Sequence, residues 1–174
     1  MSGQGAQTGD PVVDTLLDYI SVEESQGNYD AWIGHIHGAP GTITGKTLGE
    51  VYQFQRELVA GGAPSSAVGR YEFVQRTLSA CAQACGIKTS DKVDARAQDK
   101  MALYLLQVRG LAAWRAGAIS DSEFAHRLSC EWASLPDPEN GGRSHYDGDG
   151  VNRAGRTLES LLGMLEQVKG QAGG

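Results

Sequence analysis

Apolar residues recur every three to four positions in several stretches of the chain. Each stretch is bounded by residues that start or stop helices. The first spans about 11–26: Val13, Leu16, Leu17 and Ile20 share one face, and Asp14, Thr15 and Asp18 cover the other. Asp10 fits the N-cap, Pro11 the first turn, and Gly27 and Asn28 the end. The same spacing carries Glu24 into the middle of the apolar stripe in the last turn. The pattern then changes. Between 29 and 46, Trp32, Ile33, Ile36 and Ile43 are broken up by Gly34, Gly38, Pro40, Gly41 and Gly45, which predicts a small irregular hairpin region.

Helical spacing returns after it. Thr47-Leu48-Gly49-Glu50 reads as a capping box, followed by Val51, Phe54 and Leu58 on one face. A Gly/Pro/Ser loop at 60–67 leads to a third helix ending at Gly86. A fourth covers about 91–108 with Val93, Ala97, Met101, Leu105 and Val108 in phase. A short turn near 112–116 precedes a second capping box, Ser120-Asp121-Ser122-Glu123, opening a helix to about 133. Residues 136–150 read as a Gly/Pro/Asp loop. Asn152 can cap a last helix carrying Leu158, Leu161, Leu162, Leu165 and Val168, with a frayed tail over 171–174. No repeat or linker divides the chain. The expectation is an α+β fold, mostly helical with one small β patch: a flexible segment at 1–10, then one domain at 11–170.

Composition sharpens this. The 174 residues hold 24 glycines, roughly twice average usage, and they are not periodic; they punctuate short helices. A net charge of −6 with no basic stripe argues against a nucleic-acid partner. No apolar run reaches the roughly 20 residues of a membrane span, and no charged and apolar leader opens the chain. Cys81, Cys85 and Cys130, an odd count, read as reduced thiols. Cys81 and Cys85 with His35 and His37 match no zinc spacing, so neither a metal nor a cofactor is expected. The Asp147-Gly148-Asp149-Gly150 run lacks the full calcium-loop pattern.

Glu24 is the first candidate for chemistry. A carboxyl group on an apolar face loses solvation, which raises its pKa and lets it hold a proton for general-acid work. The alternative is a helix-end side chain that simply reaches water. Its surroundings decide between the two. Glu24-Ser25-Gln26-Gly27-Asn28 resembles the Glu-Ser-x-Gly-Asn signature of lysozyme-like lytic transglycosylases. Ser66-Ala67-Val68-Gly69-Arg70-Tyr71-Glu72-Phe73 is similar to the second element of that group, commonly Gly-Arg-Tyr-Gln-Phe after a small residue and Ala. Trp132-Ala133-Ser134-Leu135-Pro136 resembles a stretch of phage-lambda-type lysozymes. Gly142-Arg143-Ser144-His145-Tyr146-Asp147-Gly148 and Gly150-Val151-Asn152 resemble the loop that follows it. Four short motifs in the right order cover most of the chain.

The resemblance to phage-lambda-type lysozymes implies a helical body and a β patch flanking a groove for the peptidoglycan glycan strand. It implies cleavage of the β-1,4 bond between N-acetylmuramic acid and N-acetylglucosamine by a lytic transglycosylase, with Glu24 catalytic. Ser25, Gly69, Arg70, Tyr71, Glu72 and Tyr146 are then the expected substrate-binding residues, Gly69 through close backbone approach to the groove. Trp132 is expected to pack in the core, and Arg143 and His145 are candidates for peptide-stem carboxylates. Glu72 departs from the family's usual Gln. It is expected to act as a neutral hydrogen-bonding substitute; the alternative is a second catalytic carboxylate and hydrolysis. A virion-associated wall-binding protein on the same scaffold is a further alternative. A monomer is expected, held in the host cytoplasm until release to the wall, or else carried in the virion.

Overall fold

A computed structural model of the chain describes residues 5–150 and 152–171. Helix α1 spans Pro11–Ser25, with the Asp10 carboxylate accepting from the amides of Val12 and Val13. It is followed by α2 (Leu48–Ala60), α3 (Gln75–Cys85), α4 (Ala95–Val108), the short α5 (Leu111–Arg115), α6 (Asp121–Ser129) and α7 (Leu158–Gln171). Thr47 and Glu50 form the reciprocal capping box, which satisfies two amides otherwise left without helical partners. At Ser120 only half of the expected box exists: its hydroxyl accepts from the Glu123 amide. The expected Asn152 cap is not made. The last helix starts at Leu158, where the Thr157 hydroxyl accepts from the Ser160 amide, and Asn152 instead bonds to Asp149.

The α+β class holds, but the sheet lies elsewhere than expected. Among the described residues the paired strands are β1 (Pro136–Asp137) and β2 (Arg143–Ser144), antiparallel, inside the segment read as loop. Residues 29–46 form turns with isolated bridges, Trp32 to His35 and Trp32 to Val68. Their organiser is Asp30, nearly buried. Its carboxylate accepts from the amides of Gly41, Ile43 and Thr44 and from the Thr44 hydroxyl. Asn28 completes the knot by donating to the carbonyls of Ile36 and Gly38. Gly38 is required there, since a Cβ would sit 1.8 Å from the Asp30 carbonyl oxygen.

The core lies where α1 meets α4 and α7, and where α6 meets α7 and β1. Leu16, Leu17, Ile20, Met101, Leu106, Leu128, Leu161 and Leu165 are fully buried, and the Trp114 and Phe124 rings stack at 4.8 Å. Of the segment expected to be flexible, residues 1–4 lie outside the described residues, and residues 5–10 run beside α1 and α4. The Ala6 amide donates to Asp18, and the Gln7 amide donates to Asp99. Of the expected frayed tail, residues 172–174 lie outside the described residues.

Candidate active site

A groove of about 660 Å³ opens along one side of the helical body. Glu24 and Glu72 line it, with Tyr71, Trp132, Ser65 and Tyr146 among the other walls. Helix α1 delivers Glu24 in its final turn, just before the left-handed Gln26 ends the helix. Ser134, in the turn after α6, donates its hydroxyl to Glu24 Oε1 at 2.5 Å. Burial pushes the Glu24 carboxyl above the ordinary carboxylate range. The Ser134 hydrogen bond pulls the other way, and the charge of Glu23 adds to the rise.

Glu72 faces the same space. Burial first, and the charge of Glu24 second, push its carboxyl up to about 8. Its backbone is left-handed, with φ of +51°, a conformation that non-glycine residues adopt at a cost. The site thus contains two carboxyl groups that hold their protons more tightly than carboxyl groups in water do. The other acids on the walls are committed elsewhere. Glu131 accepts from both Arg109 Nε and Nη2, and Asp149 accepts from Asn152.

The remaining motif residues sit behind this wall. Ser25 is buried and donates to the Arg70 carbonyl at 2.7 Å. Arg70 is also buried, its guanidinium donating to the Tyr29 hydroxyl and to Asp18 and its amide to Gln98 Oε1. Gly69, with φ of +79°, presses against Gln98 rather than the groove: a Cβ would lie 2.5 Å from that side-chain oxygen. Tyr71 belongs to both layers. Its ring reaches the groove, while its hydroxyl donates to Asp99 at 2.6 Å. Tyr29 donates to the same Asp99 oxygen. Tyr146 is exposed at the rim, its hydroxyl donating to the Cys130 carbonyl.

Trp132 is nearly buried and also forms part of the groove wall. Arg143 bonds to Asn140 and His145 to Asp137. Ser134 and Asp99 carried no role in the sequence reading. Ser134 stands inside a recognised motif, which was a usable signal; Asp99 is marked only by being a charge on the buried side of α4. The cysteines Cys81 and Cys85 do not join His35 and His37 in any potential metal-binding group among the described residues.

A family model of endolysins matches residues 14–160. The chain belongs to the endolysin family. None of the curated proteins matches it. Membership brings the coarse function with it: this endolysin is a phage enzyme that degrades the bacterial cell wall, and its substrate is peptidoglycan. Among the described residues no helix of the endolysin is long and apolar enough to cross a membrane.

Proposed function

We propose that the enzyme is a lytic transglycosylase cutting the β-1,4 bond between N-acetylmuramic acid and N-acetylglucosamine, with Glu24 as its single acid–base group. Protonated Glu24 donates to the glycosidic oxygen as that bond breaks. The resulting carboxylate then takes the proton of the muramyl 6-hydroxyl, whose oxygen closes on C1 to give a 1,6-anhydro end. The tethered hydroxyl has a high effective concentration, so no second carboxylate is needed to activate water.

The observation that carries this reading is the proton affinity of Glu72. A carboxyl group pushed up to about 8 is mostly protonated near neutrality, so it is poorly suited to take a proton from water there. It can, however, donate one hydrogen bond and accept another, as the usual Gln would. Tyr71 and Tyr146 provide walls for the sugars, while Ser25, Gly69 and Arg70 serve the substrate indirectly by fixing the turn that carries Tyr71 and Glu72. The domain acts as a monomer, held in the host cytoplasm until lysis.

One observation favours a second reading. Because the two carboxyl groups share a groove, Glu72 as acid and Glu24 as base form a possible hydrolytic pair. Mass analysis of muropeptides from purified peptidoglycan digested in oxygen-18 water separates the two. We expect anhydro ends, lighter by one water and free of label; labelled reducing ends replace this reading with hydrolysis.

A further inference from the structure

At the edge of the groove, where Cys130 forms part of its lining, three side chains with metal-binding atoms converge at the end of α6. His126 and Cys130 are four residues apart, so they share a face at the helix end. His145 comes from the turn after β2. Cys130 Sγ lies 3.9 Å from His126 Nε2 and 3.8 Å from His145 Nε2. Ideal tetrahedral zinc coordination, with its usual bond lengths, puts sulfur and nitrogen about 3.6 Å apart. The three offer one ligand atom each within 4.8 Å of one another, a spacing that small side-chain turns close onto one ion.

Asp137 supplies the second half of the design. Its side chain is 3% exposed, with one oxygen 2.9 Å from His126 Nδ1 and the other 2.7 Å from His145 Nδ1. A carboxylate accepting from Nδ1 of each ring fixes the tautomer that leaves Nε2 bare; Cys130 Sγ stands as near His145 Nδ1, at 3.7 Å, as its Nε2, so a small turn of that ring aims Nε2 at a shared ion. The proposed acid–base chemistry of Glu24 uses none of these four side chains, although Cys130 shares the groove lining with it. Nor does packing ask for the arrangement: His145 is partly exposed, which leaves the ion a path from solvent.

We propose that His126, Cys130 and His145 bind a divalent transition metal of the zinc class, with Asp137 positioning both imidazoles. Water takes the fourth position, or else the Glu139 carboxylate does, which stands 3.6 Å from His126 Nε2. Binding displaces the Cys130 thiol proton to solvent, and the thiolate and two neutral imidazoles suit zinc or cobalt over magnesium or calcium. The ion staples the β1–β2 hairpin to α6. Tyr146, adjacent to His145 and bonded to the Cys130 carbonyl, is steadied with it. The site stands independently of the cleavage mechanism.

The test uses full-length protein stripped with a chelator and titrated with cobalt(II). One equivalent should give a thiolate-to-cobalt charge-transfer band and the strong visible bands of a tetrahedral site. One equivalent of zinc should abolish both, and zinc should raise the melting temperature. Cys130→Ser should lose the charge-transfer band, while Cys81→Ser and Cys85→Ser keep it. His145→Ala, at a partly exposed position that tolerates truncation, should lose the tetrahedral bands. Asp137→Asn should weaken zinc binding by about 10–100-fold. A wild-type protein with no thiolate band at one equivalent, or a band that survives Cys130→Ser, overturns the proposal.

Discussion

Glu24 is a carboxyl group pulled in two directions. Desolvation favours its neutral form, and the hydroxyl of Ser134 favours its anion. Glu24→Gln keeps the shape but cannot supply a proton, so lysis should fall by about 100-fold or more with melting preserved. Substantial residual lysis would remove Glu24 from the acid role. Ser134→Ala removes the contact that stabilises the anion. The Glu24 pKa should then rise further, and the alkaline limb of the rate profile should move to higher pH. An unmoved limb would show that Ser134 does not tune the acid.

Glu72 makes a separate statement about stability. Below its ordinary value of 4.5 the group is protonated in both folded and unfolded chains and contributes nothing. As pH rises toward about 8 the unfolded chain ionises while the folded one cannot, so the folded state loses ground across that window and no more above it. Glu72→Gln should therefore match the wild type in melting near pH 4 and exceed it near pH 8, by up to a few kcal/mol. Equal melting at both pH values would show that the carboxyl group ionises freely.

At the scale of elements, what was legible depended on how local the causes are. Asp10 and Thr47 act on amides two or three residues away, and both caps are readable from their neighbours. Strands β1 and β2 are two residues each and depend on distant partners. Asp137 meets His126, and the Ser144 hydroxyl donates to the Ala133 carbonyl, so no alternation of residues announces them. The motif around Glu24 was visible, but not the division of labour within it. Ser25 and Arg70 read as groove residues because they neighbour groove residues; their hydrogen bonds turn them inward. Asp30 shows the same limit. Its place in a glycine-rich turn segment does not single it out, yet three amides and a hydroxyl converge on it. Asp30→Ala should cost about 2–4 kcal/mol, because buried amides lose their acceptor. Hydrogen exchange should show the amides of Ile43 and Thr44 losing protection, and unchanged exchange there would contradict the role.

Across the whole molecule, one chain of polar groups, buried except at Asp18, connects α1, the Gly69–Phe73 turn and α4. Asp18 accepts from Arg70, Arg70 donates to the Tyr29 hydroxyl, and Tyr29 and Tyr71 both donate to Asp99. Such networks are costly when broken in part, since the surviving members stay buried without partners. Asp99→Ala should lower stability by about 3 kcal/mol or more and reduce activity through a loosened Tyr71. Full activity in a destabilised variant would separate the network from the groove.

That network also decides how the front of the chain can be handled. The amides of Ala6 and Gln7 cap its two ends, at Asp18 and Asp99. A fusion partner joined ahead of residue 5 leaves both contacts in place. Trimming through residue 7 strips a donor from half-exposed Asp18 and from buried Asp99, so the first damage from a short N-terminal cut should surface some distance away, in the wall that carries Tyr71.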